Sequence, residues 1–115
     1  MKIVVCCKAV PGVVTEVEIA PDGKAVRYHG EFLAINECDE SALEEAVALK
    51  RAHGSEVTVL TMGPIASQDI LYLGLSKGAD RAVRIDARVQ DPQAASIVLA
   101  AALRKLEYDL ILTGT

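Results

Sequence analysis

The chain has 115 residues, of which 51% are hydrophobic, and its formal net charge is −4. This length fits one domain, residues 1–115, with a genuine core. The acidic balance excludes a general nucleic-acid binder, which needs a basic face. With three Tyr, one Phe and no Trp, the core is expected to be aliphatic.

No apolar run reaches the length of a membrane span, and no signal-peptide layout opens the chain. We therefore expect a cytoplasmic protein with no membrane span. Its three cysteines include no Cys-x-x-Cys pair, which favours reduced thiols over disulfides.

The chain opens with a continuous apolar run, residues 2–8, which is typical of a parallel strand buried on both faces. Pro11-Gly12 is expected to end this strand. Residues 17–20 and 25–28 form two short runs around the turn-forming Pro-Asp-Gly-Lys of residues 21–24, a pattern that predicts a small β-hairpin. We place this hairpin outside the main layers, because its runs are short and mixed in polarity.

Residues 36–54 carry the signals of one long helix. Asn36 is a good N-cap, and Asp39 stands where a capping box places its second member. Acidic residues crowd the front and basic residues the back, which matches the helix macrodipole, and Gly54 supplies the stop. The predicted apolar side consists of Ala42, Leu43, Ala46, Val47 and Leu49.

The rest of the chain alternates between strands and helices. Strands are predicted at 56–61, 81–85 and 109–113, and helices at 65–77 and from 92 to about 107. Pro64 and Pro92 are predicted first helical residues, with Asp91 as the cap before Pro92. The apolar bulk of the helix at 65–77 is assigned to Ile70, Leu71, Leu73 and Leu75. This alternation predicts an α/β fold with a parallel sheet, in which the four core strands, numbered along the chain, take the order 3-2-1-4.

Ligands of open α/β sheets lie beyond the carboxyl ends of the strands. Those ends fall at residues 8–10, at 62–64, after Ile85 and at 113–115. Gly63 and Gly114 allow close approach of backbone to a ligand, and Asn36 and Asp39 add a helix N-terminus. Together these features suggest a nucleotide cradle. Tight turns explain the same glycines more simply, and neither Gly-x-Gly-x-x-Gly nor a Walker motif is present.

Other side chains give weaker indications of a site. The carboxylates of Glu37, Asp39 and Glu40 could together bind a metal ion, but compensation of the helix dipole explains them more simply. His29 and His53 lack metal-ligand spacing. Lys8 ends a buried strand at the ligand edge, where it could meet a phosphate or a carboxylate, or simply lie on the surface.

Several segments, in matching order and spacing, resemble the N-terminal part of the electron-transfer flavoprotein β subunit, including its nitrogen-fixation-associated relatives. They are residues 1–11, 35–47, 62–64, 75–82 and 108–114. Glu37 and Cys38 depart from the pattern, because many members have Pro and an aromatic residue there.

This resemblance implies a three-layer α/β/α sandwich of the adenine-nucleotide-hydrolase-like group. It implies an electron carrier, not an enzyme, that pairs with an α subunit holding most of the FAD site. The pair would pass electrons from flavin dehydrogenases to a downstream acceptor. The β subunit of this family binds AMP in a structural role, or a second FAD. The implied nucleotide contacts are Cys6, Ala9, Asn36, Asp39 and Met62, with Gly114 starting a phosphate-binding loop.

The family pattern continues past Gly114, so we expect these residues to be the N-terminal part of a longer β subunit. By itself the 115-residue segment is expected to self-associate through the sheet edge beyond its last strand. Two other function classes remain open from the residues alone. One is a universal-stress-type adenine-nucleotide-binding module that acts as a homodimer, and the other is a structural domain with an empty cleft.

Overall fold

The computed structural model describes residues 1–11, 16–24, 26–29, 33–89 and 91–114. The strands are β1 (Lys2–Cys6), β2 (Ala9–Pro11), β3 (Glu16–Ile19), β4 (Val26–His29), β5 (Leu33–Ile35), β6 (Glu56–Met62), β7 (Arg81–Ile85) and β8 (Leu110–Thr113). The helices are α1 (Glu37–His53), α2 (Gln68–Lys77) and α3 (Pro92–Leu103), with a 3₁₀ turn at Ile65–Ser67 before α2. Gly12, Ala25 and Thr115, all named above, lie outside the described residues.

Four parallel strands form the main sheet in the order β7-β6-β1-β8. β1 lies between β6 and β8, with Val5 paired to Val59 on one side and to Leu112 on the other. The class predicted from the alternating pattern, α/β with a parallel sheet, is confirmed. The chain steps from β1 outward to β6 and β7, and then returns past β1 to β8. The topological switch point therefore lies between β1 and β8.

The end of β1 and the start of β8 differ slightly from the prediction. β1 ends at Cys6, because the Lys8 amide donates to the Asp39 side chain instead of to a neighbouring strand. β8 begins at Leu110, and Asp109 before it joins the two strands at their start. The Asp109 amide donates to the Lys2 carbonyl at 2.7 Å, and its carboxylate accepts from the Lys2 amide at 2.7 Å.

α1 begins and ends where the sequence predicts. The Asn36 side chain accepts from the Cys38 amide at 3.0 Å, and Gly54 ends the helix in the left-handed region at φ 72°, donating to the Lys50 carbonyl. The predicted capping box is wrong. Asp39 bonds other residues, and the Asn36 amide, which the box would have satisfied, donates to the Lys8 carbonyl at 2.9 Å.

α1 and α2 cover one face of the sheet. Buried aliphatic side chains of both helices and of alternate positions in β1 and β6 form one cluster. Its members include Ile3, Val5, Val57, Val59, Leu43, Ala46, Val47, Ile70 and Leu71. α2 approaches β6 closely at Gly74, where a Cβ would lie 2.8 Å from Cγ2 of Val59. This face is the aliphatic core that the composition predicts.

The start and the apolar side of the second helix were partly mispredicted. Pro64 is extended at ψ 176° and precedes the 3₁₀ turn, so it is not the first helical residue. Ile70 and Leu71 are buried, but Leu73 and Leu75 are exposed. Helical geometry explains the difference, because Leu71 and Gly74 share the face that meets the sheet and the two exposed leucines lie beside it.

α3 lies on the opposite side of the sheet and contributes no buried residue. Asp91 caps it as predicted, accepting from the Ala94 amide at 2.8 Å, and Pro92 is its first residue. The predicted end near Glu107 is too late. The helix stops at Leu103, because the Lys105 and Leu106 amides donate three residues back and tighten the last turn.

Two antiparallel pairs accompany the main sheet. β3 pairs with β4, with Ile19 opposite Val26, and Gly23 turns between them at φ 71°. β2 pairs with β5, with Ala9 opposite Ile35, and sequence reasoning missed this pair. Three-residue strands give too short a pattern to recognise. β5 leads directly into Asn36 and α1, so the β2–β5 pair fixes the entry to that helix.

Candidate functional site

A cavity of about 440 Å³ lies at the carboxyl edge of the sheet, between the strand ends and the start of α3. Its floor is formed by the ends of β1, β6 and β8, and its side by the first turns of α3. The lining residues are Cys6, Cys7, Lys8, Asp39, Leu60, Thr61, Met62, Val89, Asp91, Pro92, Ala95, Leu99 and Thr113. This is the edge at which parallel sheets bind ligands, next to the switch point.

The cavity has the character of a small-molecule site. Its volume falls in the range of roughly 300–1,000 Å³ that such sites occupy. Aliphatic and sulfur-containing side chains dominate the lining, and the polar groups are few. Lys8 is the one cationic side chain among the described lining residues. Asp39 and Asp91 are acidic lining residues, so the cavity combines a mostly apolar surface with charges of both signs, which suits a flat base joined to a polar group.

Of the six residues that the resemblance implied, Cys6, Asp39 and Met62 line this cavity. Gly114 adjoins it, directly after the lining residue Thr113. Ala9 and Asn36 do not line it. Ala9 pairs with Ile35 in the β2–β5 sheet, and Asn36 caps α1 while its amide holds the Lys8 carbonyl. Sequence reasoning did not name the lining residues Cys7, Leu60 and Thr61. It also missed those of α3, because nothing in the local pattern shows which strand ends a later helix will cover.

The Asp39 side chain bonds the ends of two strands. Its Oδ2 accepts from the Lys8 amide at 2.8 Å and its Oδ1 from the Gly114 amide at 3.1 Å. Gly114 has no room for a side chain, because a Cβ there would lie 2.5 Å from the Asp39 amide nitrogen and 2.5 Å from the Cys38 carbonyl carbon. The glycine that the sequence marked for close approach therefore approaches the start of α1.

The turn after β6 is held from β7. The Arg84 guanidinium donates to the Gly63 carbonyl at 2.9 Å, and the Gly63 amide donates to the Ile85 carbonyl at 3.0 Å. This pair of bonds fixes the backbone directly after Met62. Sequence reasoning placed Gly63 at this edge, but a lone arginine inside a strand gave no sign of its role.

The adjacent thiols differ in burial. Both thiols border the cavity, but Cys7 is 5% exposed and belongs to the core cluster on the α1 side, whereas Cys6 is partly exposed. Burial raises the pKa of Cys7 to about 12, and burial likewise raises the pKa of Cys6. Both thiols therefore remain protonated and weakly nucleophilic at neutral pH. The described cysteines are all free, and the exposed one is Cys38.

The described residues contain no cluster of carboxylates, cysteines or histidines fit to hold a metal ion. Glu37, Asp39 and Glu40 instead form the acidic first turn of α1. His53 lies in the basic last turn of the same helix, as predicted, while the side chain of His29 is outside the description. Within the part of the chain that the structure covers, no helix is long and apolar enough to cross a membrane.

Residues 25–115 match the family model of the electron transfer flavoprotein domain. The chain belongs to this family. It is 41% identical over 117 residues to the electron transfer flavoprotein subunit beta of Clostridium acetobutylicum, across 99% of this chain and 45% of that protein. It is 41% identical over 122 residues to protein FixA of Azorhizobium caulinodans, across 99% of this chain and 43% of that protein.

A third relative is the acryloyl-CoA reductase electron transfer subunit gamma of Anaerotignum propionicum. It is 39% identical over 120 residues, across 99% of this chain and 45% of that protein. The chain thus spans less than half the length of these relatives. The resemblance stated from the sequence is confirmed at the level of the family.

Proposed function

We propose that this chain is the N-terminal part of an electron transfer flavoprotein β subunit. It would pair with an α subunit and pass electrons from flavin dehydrogenases to a downstream acceptor in the cytoplasm. The support is its similarity, over nearly its whole length, to proteins named as electron transfer subunits. Such a subunit is an electron carrier and not an enzyme, because it positions a cofactor and docks partners without breaking bonds of a substrate.

We further propose that the cavity at the carboxyl edge holds an adenine nucleotide, either AMP or a second FAD. One observation carries this proposal: a mostly apolar cavity of about 440 Å³ lies beside the β1–β8 switch point. The same strand order supports the finer assignment of the fold as an adenine-nucleotide-hydrolase-like sandwich. The FAD that carries the electrons would be held largely by the α subunit.

Within this proposal the residues have separate tasks. Cys6 and Met62 contact the base from the ends of β1 and β6, and Lys8 meets the phosphate. Ala9 and Asn36 act one layer out, through the β2–β5 pair and the Lys8 carbonyl. Gly114 opens the turn that continues toward the phosphate.

The test uses the full-length protein, purified with its α subunit. Denaturation should release AMP or FAD in a ratio of one per β subunit beyond any flavin of the α subunit, measured by chromatography. Calorimetry on nucleotide-free protein should then show weaker binding in Asn36→Ala and Asp39→Ala, by a factor of roughly 5 or more for each lost hydrogen bond. Glu45→Ala, an exposed position of α1, is the matched control.

Three results would contradict the proposal. The first is a complex with an α subunit and no nucleotide beyond the α-bound flavin. The second is unchanged affinity in both variants. The third is a homodimer that binds ATP, which would favour the universal-stress-type alternative. For the 115-residue segment by itself we propose no visible-absorbing flavin and self-association at high concentration, checked by absorbance and sedimentation.

A further inference from the structure

The Asp39 carboxylate joins three parts of the fold that are distant in sequence. Asp39 lies in the first turn of α1, its Oδ2 partner Lys8 follows β1, and its Oδ1 partner Gly114 follows β8. Each carboxylate oxygen therefore has a main-chain amide partner from the end of a different strand. Hydrogen bonds to an ionised acceptor are stronger than neutral ones, so this junction is a firm one.

Both partners are fixed from a second direction as well. The Lys8 carbonyl accepts from the Asn36 amide at 2.9 Å, and the Lys8 amide donates to the Asp39 side chain. Two residues at the start of α1 therefore hold the backbone of Lys8. Gly114 lies close against the start of α1, where a Cβ would overlap the Asp39 amide nitrogen, Oδ1 and the Cys38 carbonyl carbon, each at 2.5 Å. The backbone on both sides of the switch point is thus bonded to the start of α1.

We propose that Asp39 is a positioning residue of the nucleotide site, and that it acts through Lys8 and Gly114 rather than by bonding the nucleotide. This inference rests on the proposed function and assigns Asp39 to the phosphate end of the site. Lys8 is a lining residue of the cavity, and Gly114 directly follows the lining residue Thr113 at the end of β8. Both carboxylate oxygens of Asp39 already accept from main-chain amides, so its hydrogen bonds are directed to the protein backbone.

The unliganded full-length protein gives a first test, which needs no nucleotide. Through-hydrogen-bond scalar couplings in isotope-labelled protein should connect the Lys8 and Gly114 amide nitrogens to the Asp39 carboxylate carbon. In Asp39→Asn, one oxygen becomes an amide that cannot accept, so hydrogen exchange at Lys8 or Gly114 should accelerate by roughly 5- to 10-fold. Glu40→Gln is the control on the same turn, since Glu40 pairs with Lys77 and bonds neither amide.

Ligand binding gives a second test that a purely structural role would not satisfy. Asp39→Asn should lower the affinity for AMP about 5- to 10-fold but change that for adenosine, which lacks the phosphate, by about 2-fold or less. Lys8→Met should show the same selectivity, and the double variant should lose little more than either single one, because one residue acts through the other. Gly114→Ala should reproduce the faster exchange at Lys8 by displacing Asp39.

The outcomes separate the two proposals. Missing couplings in the wild-type protein, or equal losses for AMP and adenosine, would overturn the positioning role. A wild-type protein that has the couplings but binds neither AMP nor FAD would overturn the proposed function while leaving the junction in place. If Asp39→Asn fails to fold, the relative affinities of Lys8→Met and Gly114→Ala for AMP and adenosine still decide the question.

Discussion

On one face of the sheet Val5 and Val59 pack against α1 and α2 in a continuous aliphatic cluster, whereas on the other Leu60 is the floor of a cavity beside α3. Alternate residues of the same strands point to these two faces. The α1–α2 face has helix side chains such as Leu43 at 0% exposure, whereas Ile97 on α3 is 65% exposed.

The difference teaches where stability and binding lie in this domain. Protein interiors are close-packed, so a cavity beside a sheet means that side chains pack less closely on that face. Loose packing of α3 and the presence of the cavity are therefore one feature of the structure. The α1–α2 face supplies most of the buried packing, and the α3 face supplies room for a ligand.

The largest effect is expected from a substitution that disrupts the packed α1–α2 face. Leu43→Ala should lower the free energy of unfolding by about 2–5 kcal/mol, because it removes a fully buried side chain and leaves a cavity. Leu99→Ala on α3 is the matched control and should cost well under half as much, since Leu99 is only partly buried and already borders open space. Urea unfolding followed by circular dichroism measures both, and equal costs would show that the two faces are packed alike.

Overfilling the packed face should cost somewhat less. Gly74→Ala gains helix propensity but places a methyl 2.8 Å from Val59, so we expect a net loss of about 1–2 kcal/mol. Val59→Ala removes the obstructing methyl groups, so the double variant should cost less than the sum of the two single changes. Strict additivity in the same unfolding experiment would mean that α2 moves away from β6 without cost.

The two helix caps sharpen the comparison further. Asn36→Ala and Asp91→Ala each remove one side-chain acceptor at a helix start, worth about 1 kcal/mol. Because α1 belongs to the core, loss of its cap should appear in the global free energy of unfolding. Loss of the α3 cap should appear mainly as faster hydrogen exchange in residues 94–98. A global loss from Asp91→Ala as large as that from Asn36→Ala would make α3 an equal part of the cooperative core.

Those contrasts also mark what the sequence could predict. Local signals were enough to predict the parallel α/β class and α1. Asn36 and Gly54 mark the start and the end of that helix, and each acts within one helical turn. The sequence suggested Asp39 as a local partner of Asn36. Its carboxylate instead accepts from the amides of Lys8 and Gly114, which are 31 and 75 residues away. Such pairings follow from strand order, which a local pattern does not contain. Leu73 and Leu75 were misassigned for a related reason, because hydrophobicity alone does not say which side of α2 meets the sheet.

The smallest expected effect compares the two faces through adjacent thiols. Cys7 lies in the core cluster and Cys6 in the cavity, and burial raises the pKa of both, that of Cys7 to about 12. A raised pKa means that the unfolded chain loses these protons near its ordinary value of 9.0 while the folded chain keeps them. Below pH 9 the thiols therefore leave stability unchanged, and above it the unfolded state binds fewer protons, so stability falls as the pH rises toward 12.

Cys7→Ala should flatten that alkaline decline, whereas Cys38→Ala, at an exposed position, should leave it as in the wild type. Thermal unfolding between pH 7 and pH 11 measures the slope for each variant. Alkylation at neutral pH adds the contrast between faces: Cys38 should react first, Cys6 slowly and Cys7 only on unfolding, because reactivity needs both thiolate and access. Cys7 reacting as fast as Cys6 in the folded protein would show that burial in the core cluster does not protect the Cys7 thiol.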